Sequence, residues 1–184
     1  MPRYQQLTPE QMNSEQRRVY DNIAAGPRGQ AQNGPFMAWL ASPALADLAQ
    51  ALGAHCRFKT SLPDKYYEIG ILMVARHWRA QYEWFAHARL ALKAGISQEI
   101  VSAIQRGETP KTMSPEESAI HSFARELLET RLVSDATFAR ATQLFGQNGV
   151  VDLVGIMGYY GLVSMTLNTF QMPLPAGEPP QFKD

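Results

Sequence analysis

The chain is short of most features that announce a function. Its 184 residues include one cysteine, Cys56, so neither an intramolecular disulfide framework nor a paired-cysteine metal knuckle is available. An excess of one charge is also missing. The 17 Lys and Arg residues balance 17 Asp and Glu residues, a formal net charge of zero. Nothing here favours a phosphate backbone or an acidic tail, and nucleic acid is not an expected partner. Charged residues amount to 18%, against roughly 25% in an average globular domain. The first residues carry no apolar core and no small-residue cleavage site, so a secretory leader is not expected. The most apolar stretch, 150–170, holds Asp152, Asn168, hydroxyls and glycines, whereas a membrane span of about 20 residues avoids an internal carboxylate. It reads as a buried helix in a soluble, cytoplasmic protein with no membrane partner. Walker loops, dinucleotide fingerprints and His-Glu-x-x-His are absent.

Helix punctuation, by contrast, is frequent. Pro9 and Glu10 open a polar amphipathic segment, and 26–35 is a loop by its glycine and proline content. Ser42-Pro43 and Ser61-Leu62-Pro63 each open a helix, the first running to about Arg57 and the second to about His77. A short break precedes a helix over about 80–94, stopped by Gly95. Ser97 caps a short helix, Ser114-Pro115-Glu116-Glu117 is a capping box, and Ser134-Asp135 opens another helix that ends before Gly146. Asn148-Gly149 reads as a turn, and the last long helix runs from about Val150 to Asn168. The expectation is all-α: a single-domain bundle of seven to nine helices over 36–171. An N-terminal helical arm and loop occupy 1–35, and an extended Pro-rich tail occupies 172–184. Gly155, Gly158 and Gly161 form a flat strip suited to helix packing or a subunit contact.

The chemistry concentrates between residues 68 and 87. The helix around Tyr66 to Ala75 is apolar almost all round, and Glu68 is the only carboxylate inside it. A carboxyl there is paired or protonated. It is either a structural ion pair, for example with Arg76 or Arg79, or a general acid or base. On the next helix Ala80, Glu83, His87, Leu90, Ala91 and Ala94 share one stripe. Glu83 and His87 stand one turn apart on it, so the carboxylate can orient the imidazole and raise its basicity. Two acids and one histidine on inward faces of consecutive helices make Glu68, Glu83 and His87 the candidate catalytic residues. His77-Trp78, at the break, and Tyr82 are candidate substrate-binding residues. His121, between Glu117 and Arg125 at i±4, reads as a solvated surface residue, and the adjacent His55 and Cys56 face different directions.

These residues resemble the carboxymuconolactone decarboxylase family, within the alkylhydroperoxidase D-like superfamily. The resemblance is carried by Leu62-Pro63, Tyr67-Glu68-Ile69, Val74 to Trp78, Tyr82 to His87 and Ala94-Gly95-Ile96-Ser97. It continues through Val133-Ser134-Asp135 and the helix from Tyr159-Tyr160, and covers about residues 36–171. The superfamily's peroxidase branch uses Glu, then Cys-x-x-Cys-x-x-x-His. Glu68 and His87 match that glutamate and histidine, but Ala80 and Glu83 stand at the cysteine positions. The decarboxylase-like branch also lacks the cysteine pair. The resemblance implies a cofactor-independent decarboxylase or isomerase acting on a small carboxylated lactone or similar ring compound, 4-carboxymuconolactone being the namesake substrate. His87 is its proton donor, Glu83 holds His87, Glu68 assists, and Arg76 or Arg79 holds a substrate carboxylate. It also implies a homo-oligomer, a trimer or hexamer. Rival expectations are a peroxidase relying on Cys56, a metal site of Glu68, Glu83 and His87 with His77, and a non-catalytic oligomer.

Overall fold

The computed structural model describes residues 3–27, 29 and 34–182. Residues 28 and 30–33 of the expected loop, and the two residues at each end, lie outside the described residues. All regular structure among the described residues is helical. After a 3₁₀ turn at Pro9–Gln11 come α1 (Ser14–Ala25), α2 (Phe36–Trp39), α3 (Pro43–Phe58) and α4 (Asp64–His77). They are followed by α5 (Gln81–Lys93), α6 (Gln98–Arg106), α7 (Pro115–Thr130) and α8 (Asp135–Thr169).

Four of the helices begin at a capping side chain, whereas the expected cap Ser42 makes no side-chain hydrogen bond at the start of α3. Asn13, Ser97, Ser114 and Ser134 each accept a hydrogen bond from a backbone N–H in the first turn of the helix they open. At α7 the box is reciprocal, because the Glu117 carboxylate accepts from the Ser114 N–H at 2.6 Å. Gly107 ends α6 in the left-handed region, φ 78°. The last long helix is the main departure from expectation. α8 is interrupted only at Gly146, φ 68°, and the expected turn at Asn148-Gly149 is helical. Gly149 is there for close approach rather than for a turn: a Cβ on it would lie 2.6 Å from Phe145 and 3.3 Å from Leu62.

α4 is the central element, packed against α5, α7 and α8, and its Ile69, Ile71, Leu72, Val74 and Ala75 are at most 1% exposed. α8, the one described helix long and apolar enough by composition to cross a membrane, supplies the other half of this core. Its internal carboxylate is used in full. Asp152 accepts from the Ser61 N–H at 2.7 Å, the Ser61 hydroxyl at 2.6 Å and the Thr60 hydroxyl at 3.1 Å, tying the entrance of α4 to α8. The Pro-rich tail lies on its own chain. Gln81 donates to the Phe182 carbonyl at 2.9 Å and accepts from the Gln181 and Phe182 N–H groups, while the Phe182 ring packs edge-on against Trp84.

Candidate active site

The link between α4 and α5 sets the geometry. It is only Trp78, Arg79 and Ala80 long. Arg79 takes a left-handed backbone, φ 49°, and the Ala80 N–H closes onto the Ala75 carbonyl at 2.9 Å. A non-glycine residue in that region is uncommon, and here it folds two buried helices back on each other. The polar stripe of α5 is thereby laid against Glu68 of α4.

The three groups meet. His87 Nδ1 lies 2.7 Å from Glu68 Oε2, and His87 Nε2 lies 3.0 Å from Glu83 Oε1. Glu68, Glu83 and His87 are 3%, 4% and 4% exposed. A neutral imidazole has one N–H, whereas the imidazolium donates from both nitrogens and suits a carboxylate on each. Burial by itself disfavours that charge. The attraction of Glu68 first, then Glu83, together with their hydrogen bonds, outweighs it and raises the His87 pKa from 6.5 to about 9. The site therefore stores an acidic proton in an apolar interior at neutral pH. Tyr160 of α8 packs edge-to-face on the imidazole, ring centroids 4.8 Å apart. Burial, and then the charges of Glu83 and Glu68, push its phenol well above 10, so it stays protonated.

Two cavities reach the trio from different sides. A cavity of about 510 Å³ is lined by Glu83, His87, Tyr82, Tyr160, Arg57 and Lys93, among others. A second, of about 440 Å³, is lined by Glu68 and Tyr67, and shares Arg57, Phe58, Leu90 and Lys93 with the first. Two cations thus border both approaches to a pair of acids.

Of the expected substrate-binding residues, Tyr82 lines the larger cavity. His77 and Trp78 do not. His77 borders a separate cavity on the far side of α4, and Trp78 is 39% exposed at the end of that helix. Arg76 also borders that separate cavity, so the expected Glu68–Arg76 pair is not formed; His87 takes that place. Arg57, Lys93 and Tyr160 are the residues that periodicity did not single out. Only the Tyr159-Tyr160 pair on the glycine-strip helix hinted at one of them. His121 corrects the surface reading, being 3% exposed. Both nitrogens of His87 are spent on carboxylates, and among the described residues no three His, Cys, Asp or Glu side chains converge as a metal site. Cys56 is buried on α3, beside Leu52, His55 and Gly155, and lines neither cavity at the trio.

No protein-family model matches the chain, and no curated protein matches it in sequence. A solved structure matches it in fold. The alkylhydroperoxidase AhpD core from Ralstonia eutropha JMP134, described as an uncharacterized peroxidase-related protein, superposes with a TM-score of 0.75. The match covers 95% of this chain and 93% of that one, at 15% identity. The fold is AhpD-like. At that identity the likeness establishes the all-α AhpD-like architecture, and activity has to be argued from the site.

Proposed function

We propose that this AhpD-like protein is a cofactor-independent acid–base enzyme, a decarboxylase or isomerase of a small carboxylated lactone or similar ring compound such as 4-carboxymuconolactone. One observation carries the reading: a buried imidazole clamped by a carboxylate on each nitrogen, at the wall of a cavity bordered by Arg57 and Lys93. A structural core has no need of this arrangement, because apolar residues of similar volume are often as stabilising as a buried ion cluster or more so.

Arg57 and Lys93 hold the substrate carboxylates, and this role replaces the one first given to Arg76 or Arg79. When the scissile C–C bond breaks, carbon dioxide leaves and the bonding pair moves onto the conjugated carbonyl as an enolate. The Tyr160 hydroxyl, held protonated, donates a hydrogen bond to that oxygen. His87 then delivers a proton from Nε2 to carbon, on the cavity side, as the longer 3.0 Å contact to Glu83 opens. Nδ1 stays on Glu68, which keeps the ring oriented, and water restores the proton. Tyr82 bounds the ring of the substrate.

The neighbour's peroxidase-related description is a poor guide here. A dithiol relay needs two thiols, and this chain has one, buried away from the trio. Homo-oligomer formation fits the exposed apolar residues of α3 and α8: Leu48 and Val151 are 74% and 63% exposed, and Leu52 and Val151 border one groove. A cytoplasmic location is proposed with it.

The test is turnover of 4-carboxymuconolactone, followed by loss of lactone absorbance and release of carbon dioxide. His87→Gln is expected to abolish turnover while the chain still melts cooperatively, at a lower temperature, because Glu68 and Glu83 lose the cation between them. Full activity in that variant removes His87 from the mechanism.

A further inference from the structure

We propose that a second ligand site, for a small monocarboxylate with an apolar body, lies between α4, α6 and α7 in the cavity lined by Arg76, His77, His121 and Arg125. It shares no lining residue with the two cavities at Glu68, His87 and Glu83, and the proposal does not rest on the function argued above. The cavity measures about 270 Å³, small enough for a compact organic acid, and Met73, Ile104 and Leu128 give it an apolar wall.

His121 is the first reason. It is 3% exposed, yet no hydrogen bond joins its ring to another described residue, and it borders this cavity. Burial, then the charge of Arg125, keep its pKa below the ordinary histidine value, with Glu129 opposing weakly. It is the neutral imidazole, with one donor and one acceptor unspent.

The balance of charge is the second reason. Arg125 is paired with Glu129 at 3.1 Å and donates to the Thr109 hydroxyl at 2.7 Å. Glu108 is paired with Arg106 at 2.7 Å. What remains is Arg76. No carboxylate pairs with it among the described residues, and its Nε is buried without a hydrogen-bond partner. Its guanidinium is packed rather than loose. One terminal nitrogen would lie 2.9 Å from a Cβ on Gly107, and the Phe182 ring is 5.8 Å away. The contact with the ring draws on the charge through the face of the guanidinium and leaves its in-plane N–H groups for a carboxylate. Among the described residues, one planar cation without a carboxylate partner, one imidazole without a hydrogen bond and an apolar wall select one carboxylate on a hydrophobic body.

Calorimetric titration of the full chain with benzoate, and with benzylammonium as its cationic counterpart, tests this. The titrations are run in an Arg57→Gln, Lys93→Gln background, so that the other cavities, which both border on these two cations, cannot report. One benzoate per chain is expected to bind, with no heat from benzylammonium. Adding Arg76→Gln should weaken binding by about tenfold or more, as loss of a charge-assisted pair does. Leu128→Trp, which fills the cavity while leaving the cation in place, should weaken it as well, so the test survives if the Arg76 variant fails to fold. In the wild-type chain, benzoate should shift the His121 and His77 imidazole resonances. A chain ending at Phe182, lacking the acidic residue two positions beyond the ring under Arg76, should bind no more tightly. Absence of binding at millimolar benzoate, equal binding of benzylammonium, indifference to both cavity variants, or binding seen only in the shortened chain each overturns the proposal.

Discussion

His87 and His121 are buried to nearly the same degree, 4% and 3% exposed, and their acidities diverge. His87 sits between two carboxylates and its pKa rises to about 9. His121 meets burial and the cation Arg125, and its pKa falls. Desolvation pushes both imidazoles the same way, so the neighbours decide the outcome. Burial alone therefore says little about what a histidine does. One of these rings is an acid at neutral pH and the other a neutral donor and acceptor.

The largest effect should come from removing the cation that the two carboxylates share. His87→Ala leaves Glu68 and Glu83 buried without the cation between them and should cost about 3–5 kcal/mol in urea unfolding. Replacing Glu68, Glu83 and His87 together by leucine should leave stability near or above that of the wild type. A loss under about 1 kcal/mol in the single variant, with its buried pairing gone, would erase the contrast between the two rings.

The second effect is in pH. Because the folded His87 pKa lies above its unfolded value, its contribution is full below about pH 6.5 and disappears as pH rises through about 9. The amount is on the order of 3 kcal/mol. His121 has the opposite sign: its contribution is present above pH 6.5 and is lost as pH falls through its lowered value. Imidazole NMR titrations read both directly, and a His87 midpoint at or below 6.5 refutes the assignment.

Smaller changes sharpen the comparison on the His121 side alone. Ser114→Ala removes the cap of the helix that carries His121 and should cost about 1 kcal/mol while leaving the His87 titration in place. Arg125→Gln removes the cation beside His121. It should bring that titration back toward 6.5, with a stability change of no more than about 0.5 kcal/mol, because the residue is exposed.

Most of the fold was legible because helix starts are written locally, in Ser97, Ser114 and Ser134, whereas the cap Asn13 was missed because the first segment was read as opening at Pro9-Glu10, which forms only a 3₁₀ turn. The trio was legible too, since Glu83 and His87 share a helical stripe and Glu68 interrupts an apolar helix. His121 was misread for a nonlocal reason. Its i±4 neighbours Glu117 and Arg125 look like a solvated face, but Glu117 is itself buried and its partner is Lys65 of α4, at 2.8 Å. Glu117 holds one end of α7 inward, and His121 follows. Arg57 and Lys93 were illegible as a pair because they come from different helices, and only the tertiary fold brings them to the same cavities.

The clasp between Gln81 and the backbone of Gln181 and Phe182 fastens the segment that follows α8 to the first turn of α5, two positions before Glu83. Anything fused downstream pulls on that knot. A fusion placed after these residues that blunts turnover would therefore be reporting on the leash and not on the chemistry.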